Sequence, residues 1–269
     1  MKRVDVLLVE KGQAESRSQA QRWIAEGKVF SGGQPVLKPS AKFSVDIRFT
    51  IVNDERDRFV SRGGLKLQAA LGKGHFTVSG NALDIGASTG GFTDCLLQAG
   101  INQVVCVDVG HGQLVEKIRG DPRVHNYEGI NARELPAAVL QHAPKGFDLI
   151  VMDVSFISQT KILPGLPAVM AEGGWLVSLV KPQFEVGREH IGKGGLVRDV
   201  SQYARVEAEL KNCADTFGLD VVDFFDSPIA GGDGNREFLM VARRSAARRR
   251  PRSCLLSARH PTSGDCLSS

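Results

Sequence analysis

The chain has 269 residues, 42% of them hydrophobic and 24% charged, enough for a substantial core and for two domains. No stretch approaches the roughly 18 uninterrupted apolar residues a bilayer-crossing helix needs, and Met1-Lys2-Arg3-Val4-Asp5 lacks the following apolar region of a signal peptide; the expected address is cytoplasmic, with no membrane partner. The net charge of +4 belongs to the C-terminus, because residues 243–269 hold seven arginines and one acid and leave 27 basic against 29 acidic residues elsewhere, while the five scattered cysteines form no Cys-x-x-Cys pair that would suggest a disulfide framework or structural metal.

Residues 1–52 have the pattern of a small α+β module. An apolar helix over residues 4–9 is followed by a turn at Lys11-Gly12 and a second helix from Ser16 to Glu26. Strand-like Lys28-Val29-Phe30, a Gly32-Gly33 turn, Val36-Leu37 and a closing strand over 46–52 complete it. The first 50 residues carry nine basic residues against five acids, so any nucleic-acid contact should lean on this part. Arg17, Gln21 and Arg22 line one side of the second helix, with Lys28, Lys38 and Lys42 nearby; a merely solvated face is the alternative. Arg3-Val4-Asp5, Ser16-Arg17-Ser18-Gln19-Ala20 and Gly27-Lys28-Val29-Phe30-Ser31-Gly32 resemble the RNA-binding domain named after ribosomal protein S-four. That resemblance implies docking on structured RNA, with Arg3, Arg17, Arg22 and Lys28 as candidate contacts.

Residues 53–60 are mostly charged and read as a linker. Beyond them, apolar runs at 82–85, 104–109, 147–154, 174–180, 219–225 and 237–242 alternate with helical stretches near 89–99, 160–170 and 201–217. The alternation predicts an α/β, Rossmann-like domain over 61–244: a mostly parallel sheet with helices on both faces and its ligand at the carboxyl ends of the strands. Residues 245–269, rich in arginine and serine, read as a disordered basic tail.

The densest chemical signal is Asp84-Ile85-Gly86-Ala87-Ser88-Thr89-Gly90-Gly91, a strand running into a glycine turn that opens a helix. Such a turn brings bare backbone N–H groups to a ligand. Its spacing is not the Gly-x-Gly-x-x-Gly of a dinucleotide site, and Asp84 in front disfavours a diphosphate. The next apolar run ends at Asp108, an acid suited to two ribose hydroxyls. A glycine turn alone is as compatible with no ligand; with Asp108 it suggests S-adenosylmethionine. Candidate cofactor contacts are Asp84, Gly86, Ser88, Thr89, Gly90, Gly91 and Asp108.

The run Phe147-Asp148-Leu149-Ile150-Val151-Met152-Asp153-Val154-Ser155-Phe156 ends in an acid where such enzymes carry reacting groups. Amino methylation of a base commonly uses Asn/Asp-Pro-Pro-Tyr/Phe at this place, and Asp153-Val154-Ser155-Phe156 departs from it. Carbon methylation of pyrimidines usually needs a cysteine, often after proline, and no Pro-Cys occurs. An oxygen acceptor remains. Lys181, closing the strand Trp175-Leu176-Val177-Ser178-Leu179-Val180, is a candidate general base, since burial and a neighbouring cation both favour a neutral amine. The second cation could be Lys66, and Glu237 supplies a further acid; singly, each also reads as a surface charge or helix cap.

Six stretches together resemble the TlyA/hemolysin-A-like family of ribosomal RNA ribose methyltransferases, related to FtsJ-type enzymes. They are Val60-Ser61-Arg62-Gly63-Gly64-Leu65-Lys66-Leu67, the Asp84 to Gly91 turn, Val107-Asp108-Val109-Gly110, Met152-Asp153-Val154-Ser155-Phe156-Ile157-Ser158, Val180-Lys181-Pro182-Gln183-Phe184-Glu185 and Gly192-Lys193-Gly194-Gly195-Leu196-Val197-Arg198-Asp199. The resemblance implies a Lys-Asp-Lys-Glu tetrad at Lys66, Asp153, Lys181 and Glu237. Lys181 would take the proton of a ribose 2′-hydroxyl, Lys66 would steady the alkoxide, Asp153 and Glu237 would orient the lysines, and Asn131 would contact the adenine. It further implies S-adenosylmethionine as cofactor and ribosomal RNA or a ribosomal subunit as partner. The chain departs from some relatives in having Asp57-Arg58-Phe59-Val60 where they have Arg-x-Trp-Val, and in its tail.

Two other classes stay open at this point. A non-catalytic RNA-binding or ribosome-assembly factor would keep the N-terminal module, and the filled tetrad speaks against it. A pore-forming hemolysin, suggested by the name of relatives, finds no apolar span or amphipathic β-repeat in the sequence.

Overall fold

The computed structural model describes residues 1–14, 16–52 and 57–246; residues 53–56 of the expected linker and the tail beyond residue 246 lie outside them. No helix among the described residues is long and apolar enough to cross a membrane.

The N-terminal domain runs β1 (Lys2–Arg3), α1 (Val4–Glu10), α2 (Arg17–Ala25), β2 (Val29–Ser31), β3 (Gln34–Pro35), β4 (Lys42–Phe43) and β5 (Phe49–Ile51). Ser16 starts α2 by accepting the Gln19 N–H at 3.2 Å, satisfying one of the donors a helix start leaves open. Val4, Leu7 and Leu8 of α1 meet Ala20, Trp23 and Ile24 of α2, the i, i+3, i+4 spacing that aligns side chains on one helix face. The antiparallel sheet β3-β2-β5 closes this core, and β1 pairs with β4 as a separate ribbon. The closing strand is shorter than the expected 46–52.

The second domain continues with α3 (Gly63–Leu71), β6 (Asn81–Ile85), α4 (Gly91–Gln98), β7 (Gln103–Asp108), α5 (Glu116–Arg119), β8 (Val124–Glu128), α6 (Ala137–Leu140) and β9 (Phe147–Met152). It ends with α7 (Leu166–Val169), β10 (Met170–Val180), α8 (Ser201–Thr216), β11 (Leu219–Asp226) and β12 (Phe238–Arg244). The sheet has seven strands in the order β11-β12-β10-β9-β6-β7-β8, parallel from β10 to β8, with β12 antiparallel to both its neighbours. Strand alternation sends Leu83, Ile85, Val105 and Ile150 to one face, where Val206 and Leu210 of α8 cover them. Ala82, Val104, Cys106 and Val151 face the other, against Leu67 of α3 and Phe92 and Leu96 of α4. Each of the valine, leucine, isoleucine and phenylalanine side chains among them stabilises the fold by roughly 1.5–3 kcal/mol when fully buried.

Three local differences from the sequence reading have physical causes. The helix expected over 160–170 is a series of 3₁₀ turns followed by the short α7, because Pro164 and Pro167 lack the N–H that an uninterrupted helix requires. The edge strand β8 has no apolar run, since every residue in it is only half-buried. The expected linker is also not merely a spacer. Asp57 accepts hydrogen bonds from Trp23 Nε1 at 2.6 Å, Lys28 Nζ at 2.7 Å and Arg22 Nη2 at 3.4 Å. Two residues on, Phe59 is buried in the core of the second domain, and the Val60 N–H donates to Asp94 Oδ2 at 2.8 Å.

Candidate active site

The strand ends β6, β7 and β9 deliver Gly86, Asp108 and Asp153 to one edge of the sheet. Gly86 has φ +82, and a Cβ there would lie 2.3 Å from the carbonyl oxygen of Asp153, so only glycine lets the two strand ends close together. Its N–H donates to the Val107 carbonyl at 2.8 Å and the Asp153 N–H donates to the Ile85 carbonyl at 2.9 Å, which ties all three strand ends. Outside them lies a cavity of about 510 Å³ lined by Gly86, Ser88, Asp108, Val109, Ile130, Asn131, Asp153, Phe156 and Ile157 among others. A hollow of about 220 Å³ adjoins it, shares Gly86, Ser88 and Asp153, and is walled by Ser61, Arg62, Lys66, Thr89 and Gly91.

Asp108 is held by two backbone donors, Ser88 N–H on Oδ2 at 2.8 Å and Gly110 N–H on Oδ1 at 2.7 Å. The first bond draws Ser88 into a left-handed φ of +48, and both fix the carboxylate at the cavity wall. Each carboxylate oxygen has further lone-pair capacity for a hydroxyl. Asn131 stands opposite, its Oδ1 accepting the Arg133 N–H at 3.1 Å.

Asp84 departs from the expected cofactor contact. It is fully buried beneath the turn and lines neither hollow. Its Oδ2 accepts the Thr93 hydroxyl at 2.6 Å, tying β6 to α4, while Oδ1 has no hydrogen-bond partner. Burial pushes its carboxyl up to about 7 against the opposing effect of the Thr93 bond, with Asp153 and Asp108 adding like charge. The correction has a simple cause: Asp84 precedes the end of β6 and points into the helix layer. Gly90 is likewise behind the wall, at the start of α4 with φ +95.

The four tetrad positions meet as two ion pairs. Lys66 Nζ on α3 lies 2.5 Å from Glu237 Oε2, just before β12, with side-chain exposures of 9% and 3%. Lys181 Nζ, at the end of β10, lies 2.6 Å from Asp153 Oδ1 and donates to Ser155 Oγ at 2.9 Å. Lys66 and Asp153 line the same hollow, so both pairs reach one crevice. Each lysine therefore has its own carboxylate, Glu237 for Lys66 and Asp153 for Lys181, and the group nearest Lys181 is this acid and not the Lys66 cation.

Other residues became visible only in three dimensions. Gln159, 1% exposed, donates from Nε2 to the Leu179 carbonyl at 2.7 Å and accepts the Ser178 hydroxyl at 2.7 Å. Glu185 accepts the Gln159 N–H at 2.9 Å, and burial raises its pKa. This network joins the loop after Asp153 to the strand bearing Lys181. Phe156 has φ +64, an uncommon conformation for an aromatic residue, and is 91% exposed at the cavity rim, its ring 4.9 Å from that of Phe184. Its motif was legible, but not its outward aim.

In the N-terminal domain, Arg3 and Arg17 are exposed and bonded to the buried Asp5, and Arg22 is partly exposed beside Asp57. Lys28 corrects the expectation of a phosphate contact: it is 6% exposed, with its ammonium 2.6 Å from Glu26 and 2.7 Å from Asp57. A cation so enclosed balances the buried Asp57 carboxylate and the more exposed Glu26 instead of facing a phosphate.

Comparison with known proteins fits this geometry. The FtsJ-like methyltransferase model matches residues 59–244, and the S4 domain model matches residues 2–46. The chain is 45% identical over 240 residues to YqxC of Bacillus subtilis, covering 88% of this chain and 84% of that one. It is 43% identical over 243 residues to the 16S/23S rRNA (cytidine-2′-O)-methyltransferase TlyA of Mycobacterium tuberculosis, covering 90% and 89%. A solved structure of a hemolysin-named protein from Streptococcus thermophilus is 41% identical, with a TM-score of 0.70 over 91% of this chain and 88% of that one. With a doubly wound sheet, a glycine-turn crevice and these matches in agreement, the chain belongs to the FtsJ-like methyltransferase family, joined to an N-terminal S4 domain.

Proposed function

We propose that this protein is an S-adenosylmethionine-dependent methyltransferase acting on a cytidine ribose 2′-hydroxyl of ribosomal RNA, in the 16S or 23S molecule or both, in the cytoplasm. The observation that carries the reading is the convergence of the Lys66–Glu237 and Lys181–Asp153 pairs on the crevice beside the Gly86 turn. Support for the substrate comes from the relative named as a cytidine-2′-O rRNA methyltransferase and from the N-terminal RNA-binding module.

The donor set fits the cofactor. Asp108 offers carboxylate lone pairs to a ribose diol, Val109, Ile130 and Ile157 give apolar walls to an adenine, and Asn131 faces it with an amide. Gly86, Ser88, Thr89 and Gly91 would flank the amino-acid end, with Asp84 acting from beneath by holding α4 to β6. When bound, S-adenosylmethionine supplies an electrophilic methyl group for the ribose oxygen.

The protein's own part is proton handling and alignment. In its neutral form Lys181 accepts the 2′-hydroxyl proton, with Ser155 and Asp153 fixing its Nζ. Lys66, oriented by Glu237, offers positive charge to the developing alkoxide in a site largely shielded from water. Phe156 offers its ring as a stacking surface for a base drawn out of its helix, as single-stranded recognition commonly requires. Arg3, Arg17 and Arg22 engage phosphates through the N-terminal domain.

The test is to incubate the purified chain and labelled S-adenosylmethionine with unmodified ribosomal subunits and to identify the product nucleoside by mass spectrometry. 2′-O-methylcytidine is expected, and its loss in Lys181→Ala. Methylation on a base, or full activity of Lys181→Ala, would reject the reading; binding without turnover would favour an assembly factor.

A further inference from the structure

The face of the N-terminal domain formed by the β1–β4 ribbon and α2 carries exposed cations and, at its centre, an acid. Arg3 and Lys42 stand directly opposite in the ribbon register, which puts their side chains on one face. Arg17 and Gln21 are one helical turn apart on α2. Asp5 lies between them, fully buried. On a surface that binds RNA, an acid reduces the positive charge that displaces counterions from phosphates. Its presence calls for a compensating physical role.

The geometry supplies one. Arg3 Nε and Nη2 form a fork on the two carboxylate oxygens at 3.0 and 3.0 Å. Arg17 Nη2 and Gln21 Nε2 both reach Oδ2, at 3.1 and 2.8 Å. The Arg3 bond above all, with those of Gln21 and Arg17, holds the Asp5 carboxyl well below the usual carboxylate range against the effect of burial. A guanidinium has five N–H donors, so the fork leaves three of Arg3's for a ligand and the single bond leaves four of Arg17's. The side chains are 43% and 57% exposed while Asp5 is 0% exposed, so the cations face solvent and the anion does not.

We propose that Asp5 is a positioning residue that holds the Arg3 and Arg17 guanidinium groups side by side as a preformed clamp for the phosphate backbone of structured RNA, with Lys42 at its edge. A free arginine side chain samples many rotamers and loses that freedom when it is ordered. Anchoring two of them before RNA arrives removes much of that ordering cost from the binding step. Asp5 thus gives up one unit of net charge in exchange for fixed geometry. The assignment rests on the reading that this domain docks on ribosomal RNA and adds what arranges its contacts.

The experiment is equilibrium binding of the full chain to purified, unmodified ribosomal subunits over a series of salt concentrations. Arg3→Ala/Arg17→Ala should weaken binding by at least tenfold and lower the salt slope by about two. Asp5→Asn should weaken it about tenfold in the native background but less than twofold in the Arg3→Ala/Arg17→Ala background. Equal losses in both backgrounds, the mark of a merely structural acid, overturn the assignment. Arg3→Lys/Arg17→Lys keeps the charge and leaves the buried acid in place, and covers the case of Asp5→Asn failing to fold. It should bind about fivefold more weakly at an unchanged slope, and native affinity for it overturns the clamp. If Arg3→Ala/Arg17→Ala binds as the native chain does, the RNA-docking reading fails with it; if only Asp5→Asn does, the positioning role alone fails.

Discussion

Lys66 and Glu237 stand 171 residues apart in the chain and meet at 2.5 Å. α3 contributes one partner and the approach to β12 the other, so the pair staples the first helix of the second domain to its last strand. Removing one member of a buried ion pair costs about 3–5 kcal/mol, because the other charge stays buried, whereas replacing both by apolar groups is often neutral. Glu237→Ala should therefore lose roughly 3 kcal/mol in urea unfolding. Lys66→Met/Glu237→Met should recover most of that stability and still transfer no methyl group. Recovery of activity together with stability would assign the pair a purely structural role.

Lys181 lines neither hollow directly and reaches the crevice through Asp153 and Ser155. Loss of a general base typically lowers a rate by about 10²–10⁴. Lys181→Ala should show a fall of that size in kcat, while calorimetry finds cofactor affinity within about threefold of the native value. A matching loss of cofactor affinity would mean that the lysine shapes the pocket instead of moving a proton.

At Gly86 a single methyl group is tested. With φ +82 and the Asp153 carbonyl 2.3 Å from a built Cβ, Gly86→Ala must move the strand end that carries Asp153. Both cofactor binding and thermal stability should fall, with Gly112→Ala as the comparison: φ is +64 there, but a Cβ would meet nothing within 4 Å. Similar behaviour of the two variants would show that backbone strain, not the contact with Asp153, matters at Gly86.

Asp84 gives a pH dependence whose sign follows from burial. Its ordinary value is 3.8 and the folded value is about 7. The folded state therefore holds the proton more tightly, and the associated stabilisation, complete below about pH 4, is lost as pH rises to about 7. Melting temperatures measured between those limits should fall with pH more steeply for the native chain than for Asp84→Asn. Glu185 shifts in the same direction but is common to both proteins, so the difference curve isolates Asp84. Parallel curves would contradict the burial argument.

Much of the architecture was legible because it follows short-range rules. Apolar runs marked the central strands, since a strand buried on both faces needs no polar alternation. The edge strand β8 escaped that signal for the opposite reason, being half-buried throughout. The Asp84 to Gly91 turn and Asp108 announced a ligand pocket, yet spacing could not tell that Asp84 points inward while Ser88 and Asp108 face the cavity. In the N-terminal domain a count of cations suggested an RNA face, but the burial of Lys28 against Asp57 and Glu26 could not be counted from composition.

The sequence by itself determined the alternation of central strands and helices and the glycine turn, both carried by local patterning, while Lys66, Asp153, Lys181 and Glu237 were singled out through a resemblance. Tertiary structure decided which charges meet. It joined Lys66 to Glu237 and Lys181 to Asp153, gathered Arg3, Arg17 and Gln21 around Asp5, and turned Phe156 outward. The reason is physical: electrostatic pairing and burial depend on distance through space, which the folded sheet sets and separation along the chain does not.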